Sequence, residues 1–340
     1  HITMPKIKKV LVTGASGFFG SHLVEKLISK NLHVKALVRY NSSSYSNWLE
    51  TLNVNKKKLT IVFGDIRDHD SVDNALEGCD AVINLAAMIS VPYSFKNPQS
   101  FVDTNVYGLL NLYRCCQKKK KKIKKFIQIS SSEVYGNVLS KGKKILRETD
   151  ILSAESPYAA SKIAADQLSL SMHREHNIPI TIARPFNTFG PRQSTRAVIP
   201  TIITQILKNN TIKIGNIQTS RDFLYVKDNV DALVKLLISK NTDGEVINIS
   251  TQYSVKIIDV INFLQKYLGK KFEITQTFKR FRKSEVFNLV GSNLKIRQLI
   301  KWKPMYSGKN GFNKGLIETY NWFDNPENLS YYKNFSKYNI

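Results

Sequence analysis

"VTGASGFFGSHL", Val12 to Leu23, decides the fold. It follows the apolar run Lys9-Val10-Leu11-Val12-Thr13 and leads into Ser21 to Lys30, where Leu23, Leu27 and Ile28 recur at helical spacing. Gly14, Gly17 and Gly20 therefore lie in a turn between a buried strand and a helix. Glycine belongs there when the turn is tight and a backbone must approach a pyrophosphate, because the first N–H groups of the helix then face the anion. A glycine triplet alone is a weak signal; the strand before it and the helix after it supply the context of a dinucleotide site. Ser16, Phe18 and Phe19 complete the turn as candidate cofactor contacts.

The alternation continues outward. Val34–Val38, Leu59–Phe63, Ala81–Leu85, Lys125–Ile129 and Pro179–Ala183 are short apolar runs, with amphipathic stretches between most of them. This order reads as βαβ units of a parallel sheet, with right-handed crossovers placing helices on both faces. The expectation is an α/β fold, a Rossmann-type doubly wound parallel sheet with a smaller α/β substrate-binding domain. Past about residue 185 the regularity weakens. Strands are predicted there at Ile212–Ile214, Phe223–Val226 and Val246–Ile249, and helices at Ile199–Lys208, Lys227–Ser239 and Ile257–Leu268. The expected division is residues 4–183 plus about 222–250 for the dinucleotide domain, and about 184–221 plus 251–340 for the other.

A chain of 340 residues with 42% hydrophobic content can bury a large core. No run of about 18 uncharged apolar residues occurs, so no membrane partner is expected. No leader-like apolar segment argues for secretion. Cys79, Cys115 and Cys116 give neither a disulfide framework nor a paired zinc spacing, so no metal is expected and a reducing cytoplasm fits. The formal charge of +25 invites an anionic partner, nucleic acid included. Its lysines are scattered, however, and the densest run, Lys118 to Lys125, reads as a solvated loop. No nucleic-acid partner is expected; a non-catalytic dinucleotide- or RNA-binding protein on the same fold is the rival of another class.

The G-x-x-G-x-x-G spacing resembles the short-chain dehydrogenase/reductase superfamily. The second strand ends in Val38-Arg39-Tyr40-Asn41-Ser42, without an acid at its tip. An acid there would bind the ribose 2′-hydroxyl of NAD, whereas a cation and small hydroxyls suit a 2′-phosphate. Arg39 and Ser42 thus favour NADP, with NAD as the alternative. The resemblance implies further cofactor contacts from Asp65 and Ile66 at the adenine, and from Leu85, Ala86 and Ala87 under the cofactor. It also places Asn105 near the active site.

"SPYAASK" sets Tyr158 and Lys162 four apart, on one face of a helix. A neighbouring ammonium lowers a phenol's pKa, so such a tyrosine can exchange a proton with a substrate hydroxyl near neutral pH. Both residues are also candidate cofactor contacts. Upstream, "SSSEVYG" holds Ser130, Ser131, Ser132 and Glu133 directly after an apolar run. Ser131 is the hydroxyl to pair with Tyr158, and Ser130 a cofactor contact. Nearly the whole chain resembles the extended short-chain dehydrogenases that act on nucleotide sugars, and "SSSEVYG" resembles the matching stretch of their 4,6-dehydratases. That resemblance implies that Glu133 takes the C5 proton of a 4-keto sugar. Oxidation at C4 acidifies C5–H, water leaves C6, and hydride returns to C6. Ser132 stands where the dTDP-glucose enzymes carry an Asp acid, which leaves the C6 acid open between Ser132 and Glu133.

On the substrate side, "RPFNTFGPRQSTRAVIP" resembles the family's nucleotide-sugar loop, which implies substrate contacts from Asn187, Arg192 and Val198. Met88, Ser132 and Glu133 join them. Arg221 in "SRDFLYV" and Arg280 in "KRFRKSEV" resemble arginines aimed at the diphosphate, a task that suits a planar fork. "ALVRYNSSSYSNWLE", "SPYAASKIAADQL" and "RKSEV" look most like dehydratases of nucleotide-linked N-acetylglucosamine in legionaminic acid-type pathways. GDP-mannose dehydratases and UDP-glucuronate decarboxylases are the rival enzymes. A homodimer through the helices at Asn105–Gln117 and Tyr158–His173 is implied by the same resemblance.

Overall fold

The structure is a computed structural model that describes residues 7–40, 48–119, 123–137, 145–277 and 288–332. β1 (Lys9–Thr13) leads through the glycine turn into α1 (Phe18–Ser29), followed by β2 (His33–Val38), β3 (Leu59–Phe63), α2 (His69–Leu76) and β4 (Ala81–Asn84). Two short helices, α3 (Val91–Lys96) and α4 (Pro98–Val102), pass through a wide π-type turn at Asp103–Tyr107 into α5 (Gly108–Lys118). β5 (Lys125–Ile129), a 3-10 turn at Ser132–Tyr135, α6 (Pro157–His176) and β6 (Ile180–Pro185) complete the first half. The second half runs β7 (Asn187–Phe189), α7 (Val198–Lys208), β8 (Thr211–Ile214), β9 (Ser220–Tyr225), α8 (Val226–Ile238) and β10 (Val246–Ile249). Then come β11 (Ser254–Lys256), α9 (Ile257–Leu268), β12 (Glu273–Gln276), β13 (Asn288–Leu289), α10 (Leu294–Ile300), α11 (Gly308–Asp324) and α12 (Pro326–Ser330).

Seven strands form one parallel sheet in the order β10-β6-β5-β4-β1-β2-β3. The winding reverses between β1 and β4, and ligands of such sheets bind outside the carboxyl ends of the strands at that point. β4 and β5 are buried along their whole length, which is why their sequences are almost continuous apolar runs. Alternate residues feed opposite faces. Val10, Val12 and Ile127 join a core with Leu23 of α1, Leu233 of α8 and Leu316 of α11. Leu11, Val82 and Phe126 join one with Val72 of α2, Leu112 of α5 and Ala165 of α6. No helix among the described residues is long and apolar enough to cross a membrane.

The fold is the expected one, with differences at element ends. α1 opens at Phe18, three residues before the predicted start, because Gly17 is extended (φ −77°, ψ −179°) and the helix begins directly after it. β9 opens at Ser220 rather than Phe223, since β11 and β13 pair along its first residues.

Asp222 on β9 ties these pieces together. Its Oδ1 accepts from Thr251 N (2.9 Å) and Thr251 Oγ1 (2.6 Å), and its Oδ2 from Gln252 N (3.0 Å) and Gly291 N (3.2 Å). Burial nevertheless pushes its carboxyl up to about 6. A carboxyl raised on folding favours the folded state most when protonated, so its contribution falls as pH rises from its ordinary 3.8 to about 6. In urea, Asp222→Ala should cost roughly 3 kcal/mol or more by leaving several buried N–H groups unpaired. Asp222→Asn, which keeps shape and one acceptor, should cost less and flatten the loss of stability between those pH values. An unflattened profile in that variant would remove Asp222 as its source.

Candidate active site

The glycine turn, the β4 loop, the serine–glutamate turn and Asn187 follow the carboxyl ends of β1, β4, β5 and β6. Gly14 adopts φ +63°, and a Cβ there would come within 2.9 Å of Leu85 C and Ala86 N, so the glycine lets the β1 turn lie against the β4 loop. Gly17 differs. It is exposed, and an added Cβ would meet only Gly14 O, at 3.7 Å. α1 begins there without a side-chain cap. An open approach to an uncapped helix start is what a pyrophosphate needs, so these residues fit a dinucleotide. Phe18 and Phe19 pack on the core, and Ser16 O accepts from Trp48 N at 3.3 Å.

Thr13 closes the floor of the turn. Its hydroxyl donates to Asn84 Oδ1 (2.5 Å) and accepts from Leu85 N (3.1 Å) and Ala86 N (3.0 Å). Asn84 Nδ2 donates to Gln128 Oε1 (2.7 Å), and Gln128 Nε2 to Ile129 O (3.2 Å). Beyond β3, Asp65 is gripped by Arg67 through Nε (2.9 Å) and Nη2 (2.6 Å), which holds its carboxyl below the usual range. Ile66 beside it is buried. The Arg39 guanidinium is 71% exposed, 3.9 Å from Asp65. Ser42 and Arg280 lie outside the described residues.

α6 opens with Ser156 capping Ala159 N (3.1 Å) and Pro157 in its first turn, which sets Tyr158 at the mouth of the cleft. Tyr158 and Lys162 are both buried. Ser131 bonds the Tyr158 hydroxyl and also accepts from Glu133 N at 3.2 Å. Glu133, in the 3-10 turn, is half-buried, and its charge is felt at the Tyr158 phenol. Ser132 and Ser130 are buried.

One expectation fails. Burial pushes the Tyr158 phenol up to about 12; Ser131 pulls it down, while Glu133 and Asp166 push it further. Lys162 does not lower it, because its Nζ donates to Ile129 O (3.0 Å) and its charge is balanced by Asp166. Burial brings that ammonium down to about 8.

Asn105, in the π-type turn, joins the β4 loop to α6. Its Oδ1 accepts from Met88 N (2.8 Å), and its Nδ2 donates to Met88 O (3.1 Å) and Ser161 Oγ (2.9 Å). Ala87 and Met88 are thereby held over the helix that carries Tyr158. On the substrate side, Asn187 lies on β7 with its Oδ1 buried and unpartnered. Half-buried Arg221 on β9 pairs across Val255 and Leu289 and donates to Ser220 O (2.8 Å). Val198 opens α7 and packs on the core. Arg192 departs from expectation. With φ +69° it turns toward α1, where Nη1 donates to Glu25 Oε2 (2.6 Å) and Ser21 Oγ (3.3 Å). Its charge answers Glu25 rather than reaching toward Asn187.

Thr13, Gln128, Asp166 and Arg184 escaped the sequence reading, and Asn84 was read only as part of the loop under the cofactor. Asp166 had a signal, since it continues the four-residue spacing of Tyr158 and Lys162; the others depend on pairings between strands. Among the described residues, no group of three His, Cys, Asp or Glu could hold a metal ion.

A doubly wound sheet with a glycine turn at its switch point and a tyrosine–lysine helix beside it is the architecture of the extended short-chain dehydrogenase/reductases. Within that class the chain belongs to the GDP-mannose 4,6-dehydratase family, whose model matches residues 11–314. It is 34% identical over 75% of its length to a dTDP-D-glucose 4,6-dehydratase of Dictyostelium discoideum. The chain spans 61% of that relative and 48% of the next three curated relatives. The crystal structure of a Bacillus cereus UDP-glucuronic acid 4-epimerase, with UDP-glucuronic acid and NAD, superposes with a TM-score of 0.83 at 30% identity, covering 92% of this chain and 98% of that one. A dTDP-glucose 4,6-dehydratase of Streptomyces venezuelae with NAD bound gives 0.84 at 26% identity, covering 94% and 98%.

Thr13→Val keeps the shape but leaves Leu85 N and Ala86 N without their acceptor. It should lower stability by roughly 1–3 kcal/mol, read as a shifted urea midpoint at unchanged slope. An unshifted midpoint would show that the floor of the turn does not depend on this hydroxyl.

Proposed function

We propose that the chain is a nucleotide-sugar 4,6-dehydratase. The observation that carries the reading is the meeting of Glu133 and Tyr158 across Ser131 at the end of β5. A phenol and a carboxylate whose charge it feels can serve adjacent carbons of one sugar ring. A bound nicotinamide dinucleotide would supply the hydride acceptor for C4 and return the hydride at C6. Tyr158, as its phenolate, then takes the O4 proton, with Lys162 one turn further along the helix, and Glu133 removes the C5 proton acidified by the ketone. Ser132 or Glu133 protonates the departing C6 hydroxyl. The burial of Tyr158, Lys162 and Ser132 supports a site from which water is kept.

For the cofactor, the turn at Gly14–Gly20 supports NAD or NADP alike. The preference for NADP rests on Arg39, whose guanidinium is exposed beside Asp65 at the end of the second strand, while the two solved relatives above hold NAD. For the substrate, the sequence resemblance favours an N-acetylglucosamine linked to GDP or UDP, with Asn187 and Arg221 toward the diphosphate. We assign the domain division and the homodimer as expected from the sequence; exposed Val102 and Tyr107, beside α5, suit the dimer face. A C4 epimerase is the second reading, favoured by the likeness to the Bacillus cereus enzyme. UDP-glucuronate decarboxylation remains the rival chemistry.

The test is to offer UDP-N-acetylglucosamine, GDP-N-acetylglucosamine, GDP-mannose, dTDP-glucose, UDP-glucose and UDP-glucuronate separately and weigh the products. Loss of water supports dehydration. Loss of carbon dioxide, or an isomer of unchanged mass, assigns the rivals instead. With the substrate found, Glu133→Gln should slow elimination roughly 100-fold or more while C4 oxidation persists, seen as reduced nicotinamide absorbance. Tyr158→Phe should suppress that absorbance too. A fully active Glu133→Gln enzyme is incompatible with the proposal.

A further inference from the structure

α6 carries a third polar residue at the spacing of Tyr158 and Lys162. Asp166 lies one turn beyond the lysine and is fully buried. Arg184 on β6 donates to one of its oxygens, Oδ2, from both Nε (3.0 Å) and Nη2 (2.9 Å). The remaining arm of Arg184, Nη1, reaches the Tyr135 hydroxyl at 3.0 Å, and that hydroxyl donates to Asn248 Oδ1 on β10 at 2.7 Å. The other Asp166 oxygen, Oδ1, is buried without a well-formed hydrogen bond; the Ser130 hydroxyl, itself unpartnered, lies near enough to steady its charge.

A buried carboxylate is costly unless paired, and Arg184 engages only one of its two oxygens. What remains of the negative charge bears on Lys162, whose own burial drives it toward the neutral amine and whose charge Asp166 restores. A mere structural ion pair would involve Asp166 and Arg184 alone. Here it continues at one end to Lys162 and at the other to Tyr135, in the turn that presents Glu133.

We propose that Asp166, braced by Arg184, is a positioning residue for cofactor binding at the tyrosine–lysine helix, keeping charged the buried Lys162 ammonium that Ile129 O holds at the end of β5. Asp166 acts through Lys162. The proposal rests on the roles given above to Tyr158 and Lys162. Two groups answer the Lys162 ammonium, the Ile129 carbonyl that accepts from it and Asp166 one turn further along its helix. Of these only Asp166 carries a charge. Without its charge, Lys162 loses that proton at a lower pH, and whatever depends on the ammonium fails earlier as pH rises.

NAD binding to the cofactor-stripped full chain, followed by tryptophan fluorescence across pH, reads this without a substrate. In the parent, affinity is expected to fall as pH rises through about 8, the value for Lys162. Asp166→Asn strands the Arg184 charge and can unfold the protein, so the paired variant Asp166→Asn, Arg184→Met removes both charges together. Its break should lie about one pH unit lower, so that NAD binding becomes about tenfold weaker than the parent's once the pH is above both breaks. Asp166→Glu keeps the charge and should keep the parent's break. A paired variant that melts like the parent and keeps its break overturns the proposal. So does Asp166→Glu displaced as far as the neutral variants, since packing would then be the cause. Lys162→Met separates the levels: a flat profile upholds the lysine's role whatever Asp166 does, and a parent-like profile refutes the reading of Lys162 itself.

Discussion

A chain of buried hydrogen bonds crosses the carboxyl ends of β1, β4 and β5, from Thr13 through Asn84 and Gln128 to Ile129 O. Ile129 O also receives Lys162 Nζ. The glycine turn and the tyrosine–lysine helix are therefore ends of one polar network, though they are almost 150 residues apart in sequence. Buried donors and acceptors are expensive to leave unmet, so each group fixes the next. The sheet brings the strand ends together, but the side chains decide their register at the cleft. A slip by one residue would bury Val12 or Ile83 in place of Thr13 or Asn84 and sever the chain.

The network also explains which parts of the protein were legible in the sequence. β4 and β5 are buried on both faces, and such strands announce themselves as apolar runs whatever surrounds them. The glycine turn and the Tyr158–Lys162 spacing are local, so they could be read by eye. Asn84 and Gln128 could not be assigned a task, because each acts only through a partner on another strand. Asn105 was expected near the site, yet its work depends on the π-type turn that aims it at Met88 and Ser161 together. No periodicity signals such a turn.

Arg192 shows the opposite failure, where the local pattern misled. Its neighbours Asn187 and Gly190 suit a substrate loop, but a positive φ at Arg192 swings the side chain onto α1. There Glu25 satisfies it, and burial, with the Arg192 charge second, lowers His22, whose Nε2 lies 2.9 Å from Pro191 O, to about 3. A neutral imidazole beside an ion pair is a structural joint. It fastens the loop after β7 to the helix that follows the glycine turn.

That joint has a second half at the next residue of the same loop. Tyr332 donates to Gln193 O at 3.0 Å, and Tyr332 packs with Trp322 and Phe323 against Trp48. Trp48 N in turn reaches Ser16 O in the glycine turn. The loop that would face the sugar and the turn that would face the pyrophosphate are thus linked twice, once by charge through Arg192 and Glu25, once by aromatic packing. Two linkages of different kind leave that loop little freedom to move against α1. With Arg192 committed to this frame, anion recognition in the proposed reaction falls, among the described candidates, to Asn187 and Arg221. Those two stand on paired strands, β7 and β9, so a diphosphate bound as proposed would be met from a sheet rather than from a loop.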